Sequence, residues 1–375
     1  MRFSLSSRTF ELATKLVGRI TNLAVGIPLS LALATGPSTS RAQTHAIGAS
    51  VLASQSPALD SLFDIRGLGA GREGAVWATG THGMYLWTTD GGTTRHFGQV
   101  PGATSLDFRD VQVVSSDVVY LMAAAQDTAR IYKTTDRGAH WTMQYDDTRR
   151  GMFLDALAFF DDTHGLVLGD PVDGRFVILR TDDGGAHWTR IDSAGMPAAL
   201  PGEAAFAASG TALVTGGAHD AWFATGGGPV SRVFRSHDSG RTWQVSETPV
   251  RAGNASAGIF SLSFSDATHG VAVGGNYAAP DTTQITVALT ADGGVTWKAA
   301  APSAATGYLS GVTIRPDSRG QSLVAVGTLG TAISRDGGRT WTQFDRLWAN
   351  SVIATPGGTI WIAGPHTTLR TLSVP

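Results

Sequence analysis

The chain has 375 residues, 42% hydrophobic and 15% charged, with a formal net charge of −2; that is enough apolar material for a large core and excludes a disordered polyelectrolyte. Its 47 glycines suit many tight turns, and the lack of any cysteine excludes disulfides, thiolate metal sites and a cysteine nucleophile. Lysine occurs only at Lys15, Lys133 and Lys298, a poor surface for nucleic acid or anionic lipid.

In chain order, Arg2, Arg8, Lys15 and Arg19 precede an apolar run from Ile20 to Ala34, and a small-residue stretch ends in Ser40-Arg41-Ala42-Gln43. That order predicts a secretory signal peptide over residues 1–42, cleaved after Ala42, and hence a periplasmic or secreted protein. The run is short and broken by Asn22 and Pro28, so it spans a membrane poorly. Cleavage leaves 23 basic and 29 acidic residues, a net charge of −6, in a single domain over residues 43–375. A strand is expected from Ile47 to Ala53. Gly69-Ala70-Gly71-Arg72-Glu73-Gly74 fits a GxGxxG pattern, but the strand-like Ala75-Val76-Trp77-Ala78 follows it where a dinucleotide site needs a helix, so it reads as a glycine-rich turn.

From Thr88 onward one pattern recurs, Ser/Thr-x-Asp-x-Gly-x-x-Trp. Five full copies begin at Thr134, Thr181, Ser236, Thr290 and Ser334, and a sixth from Thr88 carries Arg95 in place of Trp. The repeated acids Asp90, Asp136, Asp183, Asp238, Asp292 and Asp336 lie 46, 47, 55, 54 and 44 residues apart, a propeller or solenoid period. The Asp carboxylate suits backbone N–H groups in a tight turn, the Gly a positive φ, and the Trp burial between neighbouring units. Two further strand-like runs precede each copy, as in Phe153 to Phe160 and Leu166 to Gly169, so each unit has four strands. The 333 mature residues hold about seven units. The expected fold is all-β, a seven-bladed propeller of four-stranded blades. Its last blade would show three strands beyond Asn350 and be completed by the strand near Ile47 to Ala53.

The repeats resemble the Asp box, or bacterial neuraminidase repeat. With Leu106-Asp107-Phe108-Arg109-Asp110, Gly169-Asp170-Pro171-Val172-Asp173-Gly174-Arg175-Phe176, Gly202-Glu203-Ala204-Ala205-Phe206 and Gly274-Gly275-Asn276-Tyr277, the mature chain resembles the photosystem II stability/assembly factor-like family of Asp-box propellers. The resemblance implies an exported, non-enzymatic binding or assembly factor, and a membrane-protein partner recognised through an arginine-bearing face.

No HExxH or GxSxG motif is present, and His140, His164, His187 and His269 fall in repeated turns, so no metal, cofactor or catalytic residue is assigned. A sialidase-like glycoside hydrolase is the alternative. It needs two carboxylates flanking the sugar, to be drawn from Asp155, Asp170, Asp173 and Glu203; the mature chain has only three glutamates, Glu73, Glu203 and Glu247. Superposing the inner strands by period aligns Arg66, Arg109, Asp155, Ser261, Ser310 and Asn350, with blade four ambiguous near Glu203 to Phe206. First strands line a propeller channel, and the connections between second and third strands open at the same end. The expected ligand site is therefore Arg66, Arg109, Asp155, Asp170, Asp173, Glu203 and Tyr277, facing a protein segment or small anionic ligand at the channel mouth.

Overall fold

The computed structural model describes residues 39–41, 47–48, 50–52, 63–125, 127–281, 284–301 and 307–373. The signal-peptide expectation, with its cleavage point at Ala42, lies outside them.

Seven antiparallel sheets follow one another along the chain, spanning residues 65–99, 108–147, 154–190, 213–248, 257–299, 309–345 and 351–372. The first strand of each packs against the first strand of the next, and Ser351–Ala354 returns against Ile65–Ala70, so the sheets form a ring. This is the all-β, seven-bladed propeller. Seven hydrophobic clusters fill the seven seams between blades. In the seam between blades one and two, for example, Trp141 is fully buried with its ring 5.2 Å from that of Tyr85 and 6.3 Å from that of Trp77.

The repeat forms the turn between third and fourth strands, and its chemistry is local. Thr134 Oγ1 donates to Asp136 Oδ1 (2.8 Å) and accepts from the Gly138 N–H (2.8 Å), while the His140 N–H donates to Asp136 Oδ1 (2.8 Å). Gly138 holds a φ of 87°, which a side chain would resist. The degenerate copy keeps the turn: Thr88 Oγ1 and the Thr94 N–H both donate to Asp90 Oδ1 at 2.9 Å. Chiefly through the Thr94 N–H, the Asp90 carboxyl is held down to about 2. Trp361, from the second strand of blade seven, lies against Gly92 of this turn, and Arg95 Nη2 donates to the Leu369 carbonyl (2.8 Å).

The expected closure of the last blade is corrected. Blade seven keeps three strands among the described residues, and the N-terminal segment pairs elsewhere. Thr39–Arg41 lies on the outer strand of blade three, Ile47–Gly48 on that of blade two and Ser50–Leu52 on that of blade one. Every outer strand offers a row of unpaired backbone groups, and a short alternating segment carries little to say which edge it will take. The ring is closed instead by Phe63 and Asp64. The Phe63 carbonyl accepts the Thr367 N–H (2.9 Å) and hydroxyl (3.1 Å), Asp64 Oδ1 accepts the His366 N–H (3.1 Å), and the Ile65 N–H donates to the Gly364 carbonyl (3.3 Å).

Candidate functional site at the channel mouth

Antiparallel blades put the repeat turns on one face of the ring and the connections into each inner strand on the other. At this second end, five inner strands share one irregularity. The ladder shifts register between Ile65 and Gly67, Phe108 and Asp110, Leu154 and Ala156, Ile259 and Ser261, and Leu309 and Gly311. The extra residues are Arg66, Arg109, Asp155, Phe260 and Ser310. A β-bulge re-aims its side chain and bends the strand, and here it sets one residue per blade at the same level of the channel.

The alignment by period therefore holds for Arg66, Arg109, Asp155 and Ser310 and is off by one in blade five, where Phe260, not Ser261, is the bulged residue. Ser261 sits one step deeper and accepts the Val312 N–H of blade six (3.0 Å), as Asp110 accepts the Leu157 N–H of blade three (2.7 Å). These two side chains stitch inner strands together. Burial pushes the Asp110 carboxyl up to about 7 against the pull of the Leu157 and Val111 N–H groups.

Blade four explains its own ambiguity. Its lead-in over residues 203–212 leaves the ring wall and crosses the channel. Thr211 Oγ1 lies 2.6 Å from Ser261 Oγ of blade five, and Ser351 Oγ of blade seven donates to the Ser209 carbonyl (3.2 Å). Between them Gly210, at φ 80°, meets Asp110 of blade two so closely that a Cβ would fall 2.2 Å from its Oδ1. One short loop thus touches three separated blades across the channel, below the mouth.

Aromatic rings floor one side of this mouth. Phe206 stacks on Phe260 at 4.1 Å, Tyr308 meets Phe260 edge-on at 4.8 Å, and Tyr277 stands edge-on to both Phe260 (6.0 Å) and Tyr308 (6.3 Å). Burial, then the charge of the Tyr277 hydroxyl, push the Tyr308 hydroxyl above its ordinary range, against the opposing pull of the Arg66 charge. Arg66 is half-buried, its Nε has no hydrogen-bond partner, and no acid among the described residues pairs with it. Arg109 Nη2 contacts Asp107 Oδ2 at 3.3 Å. Asp155 is fully buried. Asp170 accepts the Ala205 N–H (3.2 Å), beside Phe206.

Two of the expected site residues stand differently. Asp173 occupies the exposed tip of a two-residue turn, at φ 56°. Glu203 is gripped by Arg232, whose Nε donates to Oε1 (2.8 Å), while Thr225 Oγ1 donates to Oε1 (2.6 Å) and the Leu200 N–H to Oε2 (2.8 Å). Its acceptor capacity is filled from within the blade. Phe206, Phe260 and Tyr308 were not among the expected residues; Phe260 lies one residue before Ser261 and Tyr308 two before Ser310, whereas Phe206 falls in the loop of blade four that breaks the period.

Other polar sites are internally matched. An open cleft between blades three and four, lined by Arg180, Asp182, Asp183, His187 and Arg241, has Arg180 paired with Asp182 and His187 with Asp183, while Arg241 Nη1 donates to the Asp238 carbonyl (2.9 Å). No group of three or more His, Asp or Glu among the described residues could hold a metal ion, and no helix there is long and apolar enough to cross a membrane.

No protein-family model and no curated relative matches the chain. Among solved structures it is similar to YCF48 bound to D1 peptide, at 15% identity and a TM-score of 0.60 over 89% of this chain and 99% of that one. YCF48 from Cyanidioschyzon merolae gives 15% identity and a TM-score of 0.57 over 86% and 98%. The GH74 enzyme of Niastella koreensis gives 13% identity and a TM-score of 0.55 over 82% of this chain and 52% of that chain. At such identities the likeness concerns the fold.

Proposed function

We propose that this propeller is a non-enzymatic binding protein that takes a segment of another protein at its channel mouth, exported to the periplasm or beyond. The observation that carries the reading is Arg66: a half-buried guanidinium with no acid partner among the described residues, set on the bulge of blade one's inner strand at the mouth. A cation held in place but not neutralised is poised for a charge-assisted bond from a ligand. The similarity to a YCF48 propeller bound to D1 peptide supports a protein segment over a small anion, and the signal-peptide pattern of residues 1–42 supports export.

The hydrolase alternative finds less support. Glu203 is neutralised by Arg232 and cannot serve as a free acid or base there, and Asp155 has no exposed surface on which to meet a sugar. A fold shared with a GH74 enzyme does not carry chemistry.

The test is capture from the native envelope with the mature protein as bait. A partner held by the wild type and lost from Arg66→Ala, with melting temperature unchanged, supports the reading. Saccharide turnover lost in Asp155→Asn would replace it with the hydrolase.

A further inference from the structure

We infer that the mouth extends into an apolar shelf on blades six and seven, and that the protein segment it takes carries a large apolar side chain a few residues from an acidic group. This rests on the mouth being a protein-binding site and specifies what the partner must bring. Exposed large hydrophobics are scarce among the described residues; Ile285 and Val295 stand apart in blade five, and the other four fall close together in the chain. Leu329 (39% exposed), Phe344 (44%), Leu347 (58%) and Trp348 (55%) all lie between the second strand of blade six and the first of blade seven. Trp348 is the one exposed tryptophan among the described residues, since Trp87 is half-buried and the others are buried.

The shelf is joined to the mouth by named contacts. Trp348 Nε1 donates to Asn350 Oδ1 (3.1 Å), and Asn350 Nδ2 donates to the Ile65 carbonyl (2.8 Å), the residue before Arg66. On the other side Leu329 lies against Gly307, next to Tyr308, and its carbonyl accepts from Gln343 Nε2 (3.1 Å). The exposed indole is therefore fixed in place rather than left to swing, which lowers the ordering cost of a contact made on it. Exposed apolar surface held this way beside a functional mouth marks an interaction site, and aromatic anchors carry much of the affinity at such sites.

Charge selects the occupant. The cation at the mouth lacks an acid, so the segment supplies one. An anionic membrane needs a basic face, and this chain has a net charge of −2 and three lysines. A protein segment, extended and acidic, fits both features.

The test uses the full mature chain and short synthetic peptides, each with one acidic residue and a nearby position filled by Leu, Phe, Ala or Ser. The wild type should prefer Leu or Phe over Ser by about tenfold, consistent with an apolar side chain leaving water. Trp348→Ala and Leu347→Ser should shrink that preference to about twofold while the preference for the acid stays. Bound Leu or Phe peptide should also shield tryptophan fluorescence from acrylamide in the wild type and not in Trp348→Ala. Preference for Leu and Phe undiminished in Trp348→Ala, with binding lost in Arg66→Ala, overturns the shelf and leaves the mouth. Binding lost in Trp348→Ala but untouched in Arg66→Ala overturns the mouth. Failure of every peptide, or Trp348-dependent pelleting with phosphatidylglycerol vesicles in place of peptide binding, overturns the acidic protein segment as the occupant.

Discussion

The Glu203 carboxylate and the Arg232 guanidinium form a side-by-side pair, with Arg232 Nε 2.8 Å from Oε1 and both side chains at least nine-tenths buried. Thr225, Leu200 and the Ala198 carbonyl, which accepts from Arg232 Nη2 (2.9 Å), complete their bonding. A buried charge left without its partner is costly. Arg232→Met should therefore destabilise the fold by about 3–5 kcal/mol, read as a shifted denaturant midpoint. A second change, Glu203→Gln, should recover part of that loss. An unchanged midpoint in the single variant would mean that the pair is not structural.

Removal of the N-terminal rim strands tests the closure of the ring. A chain beginning at Ala53 loses the strands paired on blades one, two and three but keeps Phe63 and Asp64. Its melting temperature should stay within about 5 °C of the parent, because backbone pairing at an exposed outer edge contributes little core burial. A chain beginning at Ile65 loses the Phe63 ring, 3% exposed, together with the bonds to Thr367 and His366, and should melt far lower or aggregate. Equal loss in both would place the closure in the rim strands after all.

Trp361 packs against the turn of the one repeat that lacks an indole. It is 3% exposed and packs against Gly92. Trp361→Ala should cost about 3–5 kcal/mol, as should Trp188→Ala within a full repeat. Arg95→Ala removes one bond to the Leu369 carbonyl and should cost about 1 kcal/mol. Hydrogen exchange should show the seam between blades seven and one opening first. Greater protection there than in the seam between blades two and three would refute this.

Much of this was legible because it is local. The Ser/Thr, Asp, Gly and Trp of each repeat act within eight residues, so their spacing alone gave the turn, the period and seven blades. The mouth was legible only in part. Arg66, Arg109 and Asp155 fell into line because their bulges recur at the same step, whereas Phe260 was missed since the same bulge displaces blade five by one residue. Glu203 looked available because Arg232 lies 29 residues further on, a separation that no motif spans. The crossing loop at Ser209, Gly210 and Thr211 answers to partners in blades two, five and seven, and such long-range contacts leave no periodic trace.

Asp110 predicts a pH dependence. Its folded-state carboxyl sits at about 7 against an ordinary 3.8, so between these values the folded chain keeps a proton that the unfolded chain has lost. Stability from this group therefore falls as pH rises from about 4 to about 7, then levels off. Asp110→Asn removes the titration. The stability of the Asn variant relative to the wild type should climb across that window and be flat above it. A difference independent of pH would show that Asp110 is ionised in the folded protein at pH 5.

The most direct measurement of the central claim is site-specific photo-crosslinking in the native envelope. A photoreactive side chain in place of Tyr277 reports from the mouth, and one in place of Thr296 reports from the repeat-turn face. The account predicts a discrete protein adduct from position 277, abolished by Arg66→Ala, and none from position 296. An adduct formed only from position 296, or one from 277 that survives Arg66→Ala undiminished, would contradict it.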